Sequence, residues 1–246
     1  LSSGYDSGAI ACELINQNVD FKAYTISAEE NKKIIDKRHE QLILNNKIVQ
    51  NIDLTRQQFI DAKSLLKQRA EEHQYKIKRG GVITPNEFMT NDKGSVGLTF
   101  ICNQASKDGY KIYLSGQGAD EIFSDYGFNG NKIYSHSTFG GLFPKNLKDV
   151  FPWNSFYDST QYSYLGKEEN VPGAFGIEGR YPFLDYDLVQ EFLWLKPDLK
   201  NKFYKSILCE FMIKNDFPFD YNKKIGFSCD RNLKWKYTNT QIIKST

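Results

Sequence analysis

The sequence predicts an α/β fold: a parallel sheet flanked by helices, with a helix-rich C-terminal part. Three observations predict it. Short β-branched or aromatic runs alternate with helical stretches along the first part of the chain, as in successive βαβ units. Two Ser/Gly turns each lead into a helix start, and such turns at adjacent strand ends form the crevice where open α/β sheets bind ligands. Beyond about residue 129 the strand pattern stops, and helical periodicity returns only from Asp185 onward.

Taken in order, residues 1–8 (LSSGYDSG) form a loop and residues 9–15 (AIACELI) the helix after it. Residues 21–27 (FKAYTIS) alternate aromatic and β-branched side chains and read as a strand. Residues 28–45 read as a helix with Glu29 and Glu30 at its positive end and Ile34, Ile35, Leu42 and Leu44 facing a core. A strand follows over 48–54 and a helix over 58–74, and Gly-Gly with Pro marks a loop over 80–85. Residues 96–106 are helical, 111–114 a buried strand, and 119–123 the start of another helix. The stretch from 129 to 166 is rich in Gly, Pro and aromatic residues with little periodicity. Leu188, Phe192 and Leu195, then Tyr204, Ile207, Leu208 and Phe211, carry the later helices. We therefore expect an α/β half over about 1–128 and a helical half over about 129–246 that closes over it.

The 246 residues are 40% hydrophobic and 25% charged, an ordinary globular composition. A net charge of +2 gives no basic face, and Glu71 and Glu72 interrupt the Lys-rich run at 63–79, which reads as a solvated helix face. No nucleic-acid partner is expected. No apolar run approaches the roughly 20 residues of a membrane span, so no membrane partner is expected either. Cys12, Cys102, Cys209 and Cys229 are scattered without a CxxC pair, which argues against a zinc site or a disulfide framework and suits a cytoplasmic setting. His39, His73 and His136 lack metal-ligand spacing and read as surface residues. No G-x-S-x-G or Ser/His/Asp pattern supports an acyl hydrolase. The chain does not begin with Met and opens directly into a motif, so it reads as a piece of a longer protein.

Two segments carry the chemistry. In Leu1-Ser2-Ser3-Gly4-Tyr5-Asp6-Ser7-Gly8, small residues let the backbone approach an anion, and the following helix supplies free N–H groups. Asp6 would repel a bare phosphate, but a divalent cation between carboxylate and phosphates makes its presence sensible. The second segment, Lys111 to Phe123, repeats the plan with a strand, a Ser/Gly turn and a helix start bearing Asp120 and Glu121. For both, plain helix capping by Asp or Ser is the alternative.

The first loop resembles the S-G-G-x-D-S pyrophosphate loop of the ATP pyrophosphatases. LSGQGADEIF at 114–123 is more discriminating and resembles the S-G-E-G-A-D-E turn of asparagine synthetases. IEGRYPFLD at 177–185, Lys205-Ser-Ile-Leu208 and Lys224-Ile-Gly-Phe-Ser228 resemble that family's later segments, in the family's order. The resemblance is therefore to the C-terminal synthetase domain of asparagine synthetases, with an ATP pyrophosphatase-like, Rossmann-like fold and a nucleotide-binding α/β half.

The resemblance implies that aspartate, or a similar acid, attacks the ATP α-phosphate to give an acyl-adenylate and pyrophosphate, and that ammonia then displaces AMP to give asparagine. It assigns Ser2, Gly4 and Ser7 to pyrophosphate, Asp6 and Asp120 to Mg²⁺, and backbone at Leu1, Ile26, Ser115 and Gly116 to adenosine. Lys205 and Lys224 would neutralise the phosphates as the α–β bond breaks. Gln117 and Glu169 complete the catalytic set. Asp185 is expected to cap the helix at Tyr186, and Arg180 to pair with Asp185 or Asp187 or to touch substrate. An upstream glutaminase domain supplying ammonia and a strand ahead of Ser2 are expected, without which the fragment would be poorly stable. A homodimer is allowed.

Departures from the family pattern are Ser3 for Gly, Cys209 for Arg, and Lys167-Glu-Glu-Asn170 for K-x-D-R, which keeps the acid in Glu169 and loses the Arg. Ser3 is tolerable if its φ is negative. Gln117 stands where these synthetases carry Glu, and an amide is no base. Adenylation needs positioning and charge neutralisation more than a base, so this change bears on the amine. A relative making another amide or a lactam, and a degenerate nucleotide-binding subunit, remain the alternatives.

Overall fold

The computed structural model describes residues 1–28, 30–76, 78–79, 82–83, 87–127, 131–133, 139–221 and 229. Glu29, His136 and the predicted phosphate-binding segment containing Lys224 lie outside the described residues.

The opening loop runs into α1 (Tyr5–Asn16), then β1 (Lys22–Ile26), α2 (Lys32–Leu44), β2 (Ile48–Ile52) and α3 (Arg56–Arg69). β1 and β2 pair in parallel, from Lys22 opposite Ile48 to Ile26 opposite Ile52, which makes the first βαβ unit. Caps set the helix starts. Asn31 accepts from Lys33 N at the head of α2, and Thr55 and Gln58 form a capping box on α3. The second helix thus begins at Lys32, later than predicted, because Glu30 is taken by another partner. Ile35 and Leu42 of α2 are buried, but Leu44 is 81% exposed, since Leu44 lies on the opposite side of the last turn from them. Helix α3 ends at Arg69 rather than 74, where Ala70 turns extended and Gln74 joins a strand.

Two small antiparallel pairings follow: β3 (Gln74–Tyr75) with β6 (Glu87–Phe88), and β4 (Lys78–Arg79) with β5 (Val82–Ile83). The stretch expected as a loop therefore contains half of a short hairpin. Asp92 then caps α4 (Lys93–Lys107) by accepting from Ser95 N. After β7 (Ile112–Leu114) come α5 (Ala119–Phe123), α6 (Asn154–Tyr157) and α7 (Thr160–Gly173). Helix α7 starts inside the region that showed little periodicity, and only Val171 and Pro172 of its apolar residues are buried. The chain continues as β8 (Glu178–Arg180), α8 (Tyr186–Trp194), α9 (Pro197–Lys200) and α10 (Ser206–Lys214). Asp185 caps α8 through Asp187 N and Leu188 N, as predicted.

β7 and β8 form a second parallel pair, with Ile112 opposite Glu178 and Leu114 opposite Arg180. The molecule is thus α/β with parallel strands flanked by helices, and among the described residues the parallel strands form two separate pairs. A cavity of about 1120 Å³ lies between β1 and β7, lined by residues 21–24 on one side and 111–115 on the other. β7 was predicted to be buried, yet Ile112 is 59% exposed, because β7 is paired on one edge only.

Two hydrophobic clusters hold these layers. One joins Tyr5 and Ala9 of α1 with Phe123, Trp153, Phe192, Tyr204 and Leu208. The other joins Tyr24 and Ile26 of β1 with Leu66, Val96, Cys102, Val171 and Ile177. Each cluster draws on residues from both sides of position 128. All four cysteines are buried and unbridged. His39 is half-buried rather than at the surface, its Nε2 lying 3.1 Å from Thr25 Oγ1. Among the described residues no helix is long and apolar enough to cross a membrane.

Candidate functional site

The two glycine turns lie far apart in sequence and touch in space. A Cβ added at Gly116 would fall 2.7 Å from Asp6 Cβ and 3.3 Å from Ser7 N, so only glycine permits this approach. Position 118 is equally constrained. Gly118 has φ +92° at the head of α5, and a Cβ there would meet Leu184 Cδ2 at 2.4 Å.

Within the first turn, Ser2 N donates to Ser7 Oγ (3.0 Å), the Ser2 and Ser7 hydroxyls lie 2.7 Å apart, and Gly4 N donates to Ser2 Oγ (3.2 Å). Both serine hydroxyls therefore face the same small space. Ser3 is buried, and its N–H and hydroxyl both donate to Glu30, whose carboxylate is thereby removed from the head of α2. Ser3 does not adopt a left-handed conformation, so the Gly-to-Ser departure costs no backbone strain. Arg38 of α2 is fully buried beneath the turn. Its Nη1 donates to the carbonyls of Ser2 (2.5 Å) and Gly4 (2.9 Å).

In the second turn, Ser115 N extends the ladder by donating to Arg180 O (2.9 Å). Ser115 Oγ accepts from Gln117 N (3.1 Å) and donates to Glu168 Oε2 (3.2 Å). The Gln117 side-chain amide approaches Glu121 Oε2 at 3.5 Å, and buried Glu121 also accepts from the Tyr126 hydroxyl (3.0 Å).

One cation joins the two turns. The Lys205 ammonium contacts Asp6 and lies 2.5 Å from Asp120 Oδ1. The Lys205 side chain is wholly buried, whereas those of Asp6 and Asp120 are 22% and 14% exposed. Burial alone would lower the lysine pKa, but Asp120 and Asp6 outweigh it and hold the pKa well above its ordinary value. Lys205 itself adopts a left-handed φ of 46°, and Asp125 Oδ2 accepts from its backbone N–H (2.8 Å). That sparsely populated backbone conformation is held by a buried carboxylate.

Leu1, Ser2, Gly4, Asp6, Ser7, Ser115, Gly116, Gln117 and Asp120 all line the cavity described above. The Lys205 side chain, wholly buried behind Asp6 and Asp120, is not part of that lining, and three further predicted residues sit elsewhere. The Ile26 side chain is in the core of the β1 cluster. Glu169 is exposed and lies near the Tyr181 hydroxyl, whose pKa it helps to raise. Arg180 pairs with Glu178 at the surface and meets neither Asp185 nor Asp187. The α7 acid that lines the cavity is instead Glu168, one residue earlier. Burial pushes its carboxyl up to about 7, with Asp92 and Glu169 adding to the rise and Lys167 and Ser115 opposing it.

Glu30, Arg38, Asp125 and Glu168 were not found from the sequence. A signal existed for Arg38, because Asn31, Ile35, Arg38 and Leu42 share one helical face. Among the described residues no group of three or more His, Cys, Asp or Glu could hold a metal ion. The two carboxylates already converge on a cation, however, and hard oxygen donors of this kind suit Mg²⁺ when phosphate oxygens and water complete its shell.

A family model described as asparagine synthase matches residues 1–152. The chain is similar to a putative glutamine-hydrolyzing asparagine synthetase 1 of Methanocaldococcus jannaschii, with 28% identity over 189 residues, 77% of this chain and 30% of that protein. It is also similar to a probable glutamine-hydrolyzing asparagine synthetase of Schizosaccharomyces pombe (22% over 148 residues, 60% of this chain and 24% of that protein). A glutamine-hydrolyzing asparagine synthetase 1 of Arabidopsis thaliana is 29% identical over 120 residues, 46% of this chain and 17% of that protein. The chain thus spans only a minor part of the length of each relative.

Proposed function

Since the chain belongs to the asparagine synthase family, we propose that it is an ATP-dependent amide-forming ligase that works through an acyl-adenylate. The acid, aspartate by default, attacks the α-phosphorus of ATP through a carboxylate oxygen and expels pyrophosphate. Ammonia then attacks the acyl carbon, AMP leaves, and asparagine results. The observation that carries this reading is the meeting of two glycine turns whose acids, Asp6 and Asp120, converge on one buried ammonium.

The residues divide the work. Ser2, Gly4 and Ser7 cradle the β- and γ-phosphates through hydroxyl and backbone N–H donors. Backbone at Leu1, Ile26, Ser115 and Gly116 frames the adenosine. Asp6 and Asp120 would hold Mg²⁺, which when bound would screen the triphosphate from the two carboxylates. Lys205 balances the charge that builds on the α–β bridging oxygen, and in a dry cleft a positioned cation contributes several kcal/mol to such a step. Lys224 adds charge from the C-terminal half, and residues 129–246 close over the nucleotide half at 1–128. Glu168, which lines the cavity while Glu169 is exposed, is the α7 acid that serves the catalytic set.

Gln117 favours a second reading in which the amine is not ammonia, since an amide cannot draw a proton from it. The decisive experiment incubates the intact protein with MgATP and a panel of acids and amines. One AMP, one pyrophosphate and one amide should form per turnover. Formation of ADP and phosphate, or no acid-dependent turnover at all, would remove the proposal.

A further inference from the structure

Arg38 is fully buried beside the site, at 0% exposure, and the mechanism does not use it. Its guanidinium donates to four acceptors. Nη1 takes the carbonyls of Ser2 (2.5 Å) and Gly4 (2.9 Å), Nε takes Pro218 O (2.8 Å), and Nη2 lies 3.9 Å from Met212 Sδ. The group also lies over the Phe217 ring, 5.3 Å from its centroid. Gly8 makes room for it: a Cβ there would fall 2.4 Å from Nη2.

A loop that binds polyphosphate must present N–H groups and keep its carbonyl oxygens away from the anion, because both carry negative potential. Arg38 takes the two carbonyls that flank Ser3, while Glu30 takes the Ser3 N–H and hydroxyl. The loop is therefore pinned from one side by a cation and an acid belonging to the segment around α2. Neighbouring contacts bind the same region to the chain after α10. Asn31 Nδ2 donates to Asp220 Oδ2 (2.7 Å), Tyr5 OH to Asp220 O (3.1 Å), and Gln41 Nε2 to Asp216 O (2.7 Å).

We propose that Arg38 is a positioning residue for the anion-binding loop: it turns the Ser2 and Gly4 carbonyls away from the bound polyphosphate and lends the loop a buried positive charge. The proposal rests on the reading of residues 1–7 as the pyrophosphate cradle. Arg38 touches no substrate and acts through the loop backbone. Its loss therefore weakens pyrophosphate and ATP binding selectively, without altering the affinity for the acid. A merely structural arginine would instead lower thermal stability and the fraction of active protein, with both substrate affinities unchanged.

The test uses the intact protein with inorganic pyrophosphate and Mg²⁺ in calorimetry, alongside KM for ATP and for the acid. Arg38→Met should weaken pyrophosphate binding and raise the ATP KM by about tenfold or more, with the acid KM within about twofold, and Arg38→Lys should fall between because it keeps the charge but not the fork. Should Arg38→Met fail to fold, Gly8→Ala serves in its place. It keeps the arginine but pushes the guanidinium aside, and should move both values in the same direction by a smaller factor. Equal pyrophosphate affinity in wild type, Arg38→Lys and Gly8→Ala would overturn the proposal. Wild-type protein that binds neither pyrophosphate nor ATP would overturn the cradle reading first, and the role of Arg38 with it.

Discussion

Glu168→Gln is expected to make the protein more stable above neutral pH and to leave it unchanged in acid. The Glu168 carboxyl lines the cavity, and burial raises its pKa from the ordinary 4.5 to about 7. Lys167 and Glu169 face it from its own helix, Asp92 and Cys102 from the α4 segment, Tyr113 from β7, and Tyr181 from the turn after β8. The sign follows from proton uptake. Between 4.5 and about 7 the folded state holds a proton that the unfolded state has lost, so stability falls as pH rises through that window and then levels off. At roughly 1.4 kcal/mol per pH unit the full penalty is about 3 kcal/mol, and partial solvent access reduces it to about 2 kcal/mol. Glutamine has the same shape and carries no charge, so it removes that penalty. For a chain of this length, 1 kcal/mol moves Tm by roughly 2–4 °C, which predicts a gain of about 4–8 °C at pH 8.5 and none at pH 4.5. Paired thermal melts of wild type and Glu168→Gln across this range are the assay. A difference that is the same at both ends, or a variant less stable above pH 7, would refute the assignment of a buried, proton-holding acid.

Three further outcomes concern the chemistry. Asp6→Asn and Asp120→Asn should each abolish Mg²⁺-dependent pyrophosphate release while circular dichroism shows the fold retained, and near-normal turnover in both would remove the metal assignment. Lys205→Ala should slow adenylate formation by about a hundredfold in single-turnover experiments with a smaller change in ATP affinity, and Lys205→Arg should rescue poorly because a planar fork does not replace a point charge. An unchanged rate constant with a raised ATP Kd would assign Lys205 to binding alone. Gln117→Glu should increase amide formation from ammonia while pyrophosphate release stays within about threefold. The new carboxylate must share space with Glu121, which now lies 3.5 Å from the Gln117 amide. A fall in amide formation would therefore indicate that this neighbour, or a different amine, controls position 117.

What the sequence reveals and what it hides divide along physical lines. The loop, both turns and the first βαβ unit were legible because glycine, small residues and hydrophobic alternation act locally. Asp185 was legible as a cap for the same reason. The burial of a strand is not local, and β7 read as buried although pairing on one edge leaves Ile112 exposed. Arg38 shared the apolar face of α2 with Ile35 and Leu42, yet a charged residue in a helix ordinarily signals solvent. The register of α7 decided which acid reaches the cavity. K-x-D-R spacing pointed to Glu169, but one residue on a helix is about 100° of rotation, and Glu168 takes the inward position. The left-handed backbone at Lys205 and its tie to Asp125 depend on residues 80 apart and leave no pattern in the local sequence.

In the proposed reaction a carboxylate oxygen attacks the α-phosphorus of ATP at the junction of the two glycine turns. The most direct measurement supplies the intact protein with MgATP, ammonia and aspartate whose side-chain carboxylate is labelled with oxygen-18, and reads the products by mass spectrometry. Attack at the α-phosphorus should leave one labelled oxygen in each AMP formed and none in pyrophosphate. Unlabelled AMP, or label recovered in inorganic phosphate alongside ADP, would contradict it, because the acid would then have been activated at another phosphorus or not at all.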